Sequence, residues 1–544
     1  MTGAGPEAAN DGRAEIAAAR QEIARLLGVG EVDRATGVAA AAAERFPEQA
    51  RAHLLHIDVL EHGGRHEDAA SYCEDLRVKF PKSVPLLGRL AVALAMSGRG
   101  EEGVRLFREK VSSSRMPAQR KAELARRLAT PLRRSRAAAE LLAEQAEANP
   151  KNAALLREAG SAAASAGDFE SAVRWFDASA GVKPLPVWSE CARIEAMQRV
   201  ARTTPGGEER LGDVLAAALW AHPKEPLLVR QLNRIHLSAE VWRTIYPIVA
   251  DAAETAAGDD FLLFESAIAA LQARDRGFAL ALLSKVERGT AVWAKRARPL
   301  ARLLRSRPDS FWEQARLADD PSEEVQIVRV AGAQATLVVF LTLNGNFMTL
   351  PVEMLDALLS GLAANVVYLR DTSSPLQGAG GFRAFSKDGG KGVDESVAGL
   401  KREVEELGAA RVVTIGASAS GLSAIRYGAR IGANGAVCFG ALTTFEIGRK
   451  PRGRNALRGL YLDRKSRFGA LEDELAAEPG LEVDLYYGAA FERDHEHAAR
   501  AKDLPGFRVL PVAGVDHHFC ALEMIADGSF VDAVRSALHV SATA

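Results

Sequence analysis

Cysteine is scarce in this chain: four thiols among 544 residues, at positions 73, 191, 438 and 520, with no CxxC spacing. That excludes a disulfide framework and a Cys-rich metal knuckle, and points to reduced thiols in a cytoplasmic protein. An excess of one charge is also lacking. Lys and Arg number 69 and Asp and Glu 70, for a net charge of −1, which gives no support to nucleic-acid binding. No stretch approaches the ~18 consecutive apolar residues of a membrane-spanning helix. The opening "MTGAGPEAANDGRAEIAAAR" lacks the apolar core of a signal peptide. Residues 1–13 are small and polar and are expected to be a disordered tail. No GxxxxGK[ST] follows a strand-like run, and Gly416 and Gly421 do not form a GxGxxG. Phosphate-loop and dinucleotide chemistry are therefore not expected. What is present is globular material, 48% hydrophobic and 26% charged, long enough for about two to four domains.

Two different periods divide it. From 14 to 315 apolar residues recur at helical spacing. Pro47, Pro81, Pro117, Pro150 and Pro184 are separated by 34, 36, 33 and 34 residues. Within "AALLREAGSAAASAGDFESAVRWFDASAGVKP", Leu156, Ala159, Gly160 and Ala163 space one helix. Gly167 opens a turn, Ala172 and Phe176 mark a second helix, and Pro184 closes the unit. A repeat of this length is the mark of stacked helix–turn–helix units. Residues 14–204 resemble the tetratricopeptide repeat family, with His, Leu or Ala at most of its Trp and Tyr positions. The resemblance implies a solenoid that binds a protein partner. Residues 205–315 remain helical while the period fades. They are expected to be divergent repeats or a cap on the solenoid.

Charge and proline interrupt the helical pattern at 307–325, where the two halves are expected to part and fold separately. From 325 to 544, apolar runs alternate with helical segments: "ATLVVFLTL", "NVVYLRD", "RVVTIG", "GAVCFGA", "LEVDLYYG" and "FRVLPVAG". This pattern predicts a doubly wound, mostly parallel α/β sheet.

The third of these central runs leads into Gly416-Ala417-Ser418-Ala419-Ser420 and then helix-forming sequence. A serine on a tight strand-to-helix turn needs small residues on both sides, and a base held by an acid. Asp494 follows the penultimate strand by six residues, and His517 and His518 follow the last. In order and placement, residues 325–544 resemble the α/β-hydrolase superfamily, with Ser420 departing from its usual glycine. The resemblance implies a catalytic triad of Ser418, Asp494 and His518, with His517 as the alternative base. It also implies an oxyanion hole of the Ala419 amide and a donor from the loop containing Asn344 and Gly345. The substrate class would be an ester, thioester or amide, on a small molecule or a glycan, hydrolysed or transferred without a cofactor. An inactive hydrolase-like domain on a scaffold is the alternative.

Two other features compete. "RDHEHA" and "VDHH" gather histidines and aspartates, but His495 and His497 are two apart and face opposite sides of a helix, so no metal site is expected. The basic stretch 445–469 is a lid contacting an anionic group or a solvated excursion.

Overall fold

The computed structural model describes residues 6–132, 135–201, 204, 206–235, 237–256, 258–320, 323–342, 345–371, 382–385, 392–443 and 471–540. Most of the Gly-rich segment 378–392 and all of the basic stretch 445–469 lie outside them, as does Asn344. The chain divides into two compact units, Met1–Gly207 and Glu208–Ala544.

The first unit is a solenoid of tetratricopeptide-type helix pairs. Leading helices Ala50–His62, Val84–Met96, Ala118–Ala129, Ala153–Ser165 and Val187–Ala201 start 34, 34, 35 and 34 residues apart. Each begins within three residues of one of the five spaced prolines. The paired helices return through glycine turns. Gly30, Gly64, Gly98 and Gly167 all have φ between +73° and +92°. The residue after each closes a bond five residues back, as in Arg65 N–H to the Leu60 carbonyl at 2.9 Å. That is the left-handed helix end that glycine makes without steric cost. Small residues let the helices touch. A Cβ on Gly160 would lie 3.1 Å from the Phe176 ring. Phe176 is wholly buried, worth about 2–3 kcal/mol for the side chain. The tail expectation is corrected here, since the first helix runs Pro6–Gly28. Proline is at ease in the first turn of a helix, and the Ala- and Glu-rich residues after it are good helix formers.

The second unit contains a mixed sheet of seven strands. They are β1 Val325–Val328, β2 Ala335–Phe340, β3 Ala364–Leu369, β4 Arg411–Ala417, β5 Gly435–Phe439, β6 Glu482–Gly488 and β7 Phe507–Val512. Their order is β1-β3-β2-β4-β5-β6-β7, with β1 antiparallel to β3 and all other pairs parallel. β2, β3 and β5 are buried along their whole length, as continuous apolar strands covered on both faces must be. The short, half-exposed β1 was missed in the sequence because four residues of mixed polarity carry no clear period.

The helices of 208–315 group with the sheet rather than with the repeats. Arg316 pairs at 2.9 Å with the fully buried carboxylate of Asp356 on the helix after β2. Arg370, 2% exposed, binds both oxygens of Asp319 and the carbonyls of Asp320 and Glu323. The charge at 307–325, read as a linker, is thus partly internal pairing.

Candidate functional site

The order of the chain reverses between β2 and β4: β2 is flanked by β3 on one side and by β4 on the other. In an open α/β sheet, ligands bind outside the carboxyl ends of the strands at such a switch point. Ser418 directly follows β4 at that edge, half-buried, with φ +56° and ψ −122°. A non-glycine residue held at such a φ costs about 1–3 kcal/mol and persists only where its surroundings over-determine it.

The surroundings do so here. The Ser418 N–H donates to the Phe439 carbonyl at 2.9 Å, and its carbonyl accepts from Gly421 and Leu442, each at 3.2 Å. A Cβ on Gly416 would lie 2.3 Å from the Ser420 carbonyl oxygen, and one on Gly421 2.5 Å from Cβ of Ala441. Both positions need glycine. Ser420, 1% exposed, accepts from the Ala417 N–H at 3.0 Å and donates to the Ala417 carbonyl at 2.8 Å. Sequence reasoning treated Ser420 as a small residue, and its two-sided clamp on the turn went unforeseen. The Ser418 side chain makes no capping bond to the helix Ala419–Ile431 that follows.

Asp494 lies in the first turn of Glu492–Ala501, 2% exposed. It faces His518, with Nδ1 to Oδ1 at 2.6 Å. The His518 Nε2 has no hydrogen-bond partner among the described residues. Gly440, at the end of β5 with φ +53°, backs this pair. A Cβ there would sit 3.0 Å from Asp494 Oδ2 and 3.2 Å from His518 Nδ1. Its signal in the sequence was the glycine ending "GAVCFG", but nothing local revealed which side chains needed the space.

His517 is otherwise engaged. Its Nδ1 accepts from the Phe519 N–H at 3.2 Å, and its Nε2 faces Glu523 Oε1 at 3.4 Å. On the helix of Asp494, His495 is exposed and His497 buried, as their opposite faces require. His497 Nδ1 accepts from the Thr443 N–H at 3.1 Å, and burial pushes its pKa down to about 4. Among the described residues no cluster of three His, Cys, Asp or Glu is arranged to hold a metal ion.

The N–H of Gly345, expected to serve as an oxyanion donor, reaches the Thr342 carbonyl at 2.8 Å. The Ala419 amide opens a helix and has no acceptor one turn earlier. Gly345 and Asn346 edge a cavity of about 550 Å³ whose wall mixes Trp242 and Val352 with Arg243, Arg274, Asp319 and Glu353.

The repeat unit holds a second feature. A cavity of about 450 Å³ is lined by Asp58, Glu61, His62, Arg89, Met96 and Arg127. Glu61 accepts from Arg89 at 3.0 Å and from Arg127 at 2.6 Å. Its second carboxylate oxygen is buried without a partner among the described residues, and burial raises its pKa.

A family model described as the tetratricopeptide repeat matches residues 20–84 and 131–184. No curated protein matches the chain. Similar solved structures include a tetratricopeptide repeat protein of Parabacteroides merdae, 12% identical over 54% of this chain and 99% of its own, at a TM-score of 0.26. Another, from Thermus thermophilus, is 17% identical over 40% of this chain and 97% of its own, at a TM-score of 0.20. The C-terminal part of a repeat protein from Cytophaga hutchinsonii is 12% identical over 42% and 93%, at 0.27. The family match supports the repeats and does not extend to the hydrolase resemblance.

Proposed function

We propose that the chain is a protein-interaction scaffold, binding its partner through the repeat solenoid. The observation that carries this reading is the tetratricopeptide repeat itself, matched over 20–84 and 131–184. Stacked repeats present an extended surface to a protein or peptide. The cavity at Glu61, with Met96 38% exposed beside it, offers one place for a partner side chain. Affinity capture with the full chain and with a His62→Asp, Met96→Asp variant tests this. The variant should lose partners that the parent retains, and an unchanged set of captured proteins counts against this face.

A second reading is favoured by the site after β4: acyl hydrolysis or acyl transfer through Ser418. It is supported by the 2.6 Å Asp494–His518 hydrogen bond and the left-handed Ser418. The engagement of His517 with Glu523 supports His518 as the base. In this chemistry the Ser418 hydroxyl attacks a carbonyl carbon and its proton passes to His518 Nε2. Asp494 on Nδ1 holds the ring in the tautomer that accepts it. The Ala419 N–H stabilises the oxyanion. Collapse of the tetrahedral adduct expels the leaving group, which takes the proton from His518. Water or an alcohol then releases the acyl group by the reverse path. A fluorophosphonate probe tests this reading. The parent should be labelled at Ser418, and Ser418→Ala should lose all labelling while keeping its thermal midpoint. An unlabelled parent leaves the scaffold reading alone.

A further inference from the structure

His518 lies between β7 and the helix Cys520–Asp527, in a segment with few bonds of its own. Its position is held from a distant part of the chain. The helix Val292–Ser306 grips the segment at three points. Lys295 Nζ pairs with Asp516 Oδ2 at 2.6 Å. Arg302 pairs with Glu523 Oε2 at 2.6 Å, and the other oxygen of Glu523 faces His517. Between them the Arg296 guanidinium lies over the Phe519 ring, 4.0 Å from its centroid.

Arg296 is the centre of this grip. Phe264 and Trp293 also stand around its guanidinium, each ring centroid at 5.4 Å, and Trp293 stacks in parallel on Phe261 at 4.4 Å. Burial pushes the Arg296 pKa down to about 10, against the attraction of Glu265. A cation desolvated among rings gains more from them than an exposed one. Phe519 directly follows His518, so a ring fixed by Arg296 fixes the backbone from which the imidazole projects. On the opposite side the segment is anchored by the Ala490 N–H to the Val515 carbonyl at 2.9 Å and by Gly488, where a Cβ would meet the His517 carbonyl at 2.7 Å. The histidine is thus clamped between β6 and a helix that ends well before the central strands of the sheet begin.

We propose that Arg296 is a positioning residue for His518, and that the helix Val292–Ser306 completes the site instead of capping the solenoid. This rests on the acyl-transfer reading above. Two measurements on the full chain separate the ideas: the rate of fluorophosphonate labelling at Ser418 and the hydrogen exchange of residues 514–523. Arg296→Ala should slow labelling by about tenfold or more, because small misplacements of a catalytic group are costly. It should also speed exchange in 514–523. Arg296→Lys keeps the charge but not the planar face, and should recover only part of the loss. Lys295→Asp and Asp516→Lys should each slow labelling by about two- to fivefold, the scale of a half-exposed ion pair. The combined charge swap should restore it. Unchanged labelling and exchange in Arg296→Ala overturn the proposal, as does a swap that restores nothing. If Arg296→Ala lowers the thermal midpoint of the whole chain, the charge swap decides. If the parent is not labelled at all, the acyl-transfer reading fails, and exchange in 514–523 alone decides whether the helix holds the histidine segment.

Discussion

The turns between paired repeat helices and the turn around Ser418 use glycine in opposite ways. In the repeats, Gly30, Gly64, Gly98 and Gly167 have positive φ, and a Cβ on any of them would meet nothing within 4 Å. They are chosen for backbone rotation alone. In the sheet unit, a Cβ on Gly416 or Gly421 would meet other atoms within 2.5 Å. Those glycines are chosen for the space they leave. The first use recurs with the repeat, so it is written as a period. The second depends on residues far along the chain, and only the folded arrangement reveals it.

Gly440 combines both uses, and changing it should have the largest effect after Ser418→Ala. Gly440→Ala puts a methyl group 3.0 Å from Asp494 Oδ2 and 3.2 Å from His518, at a φ of +53°. The backbone term alone is about 1–2 kcal/mol. Displacing the Asp494–His518 pair should lower Ser418 labelling by about a hundredfold. Labelling at the parental rate would mean that the pair is not what drives the serine.

This contrast also explains what was legible. The proline period announced the helix pairs because each repeat restates it. The six longer strands were visible as apolar runs between helical segments, and the order serine, acid, histidine could be read along the chain. Three things could not. The helices of 208–315 read as a continuation of the solenoid because amphipathic spacing does not name the surface it packs on. The Arg296–Phe519 contact joins residues 223 positions apart by a stacking that leaves no spacing signal. Nothing about Gly345 in the sequence signalled that its N–H would be taken by the Thr342 carbonyl.

Ser420→Ala sharpens the comparison at the next level. The loss of its hydroxyl leaves the buried Ala417 N–H and carbonyl without that partner, at a cost of about 1–3 kcal/mol. The strained Ser418 turn should loosen, and labelling should fall less than in Ser418→Ala. Urea unfolding and labelling rates check both, and a variant as stable as the parent would reduce Ser420 to a space-filler.

Acid should act in opposite senses on two buried groups, one in each unit. His497 titrates at about 4 in the folded state because burial disfavours its cation. An unfolded histidine titrates near 6.5. Between those values the unfolded chain binds the extra proton, so the sheet unit loses stability as pH falls from about 6.5 to about 4. Glu61 behaves inversely. Burial raises its pKa, so its contribution is present at low pH and is lost as pH rises through the folded value. Hydrogen exchange resolved by unit should show β5 and β6 weakening on acidification, less so in His497→Gln. An equal slope in that variant would place the acid sensitivity elsewhere.

The smallest effect belongs to Gly64→Ala, which isolates backbone rotation from crowding. Gly64 has φ +73°, and a methyl group there would find no other atom within 4 Å. Its N–H reaches the Glu61 carbonyl at 3.1 Å, and the next residue closes on Leu60. Alanine should keep both bonds and suffer only the left-handed backbone, about 1–2 kcal/mol, partly offset by about 0.4–1 kcal/mol from a stiffer unfolded chain. The net loss should therefore be about 0–1.6 kcal/mol, with the helix pair intact by circular dichroism. Ser418 labelling should not change, because the cost stays in a turn of the other unit. A loss as large as that of Gly440→Ala would mean that Gly64 also leaves space for something, as Gly160 does, and the division between rotation and room at these turns would collapse.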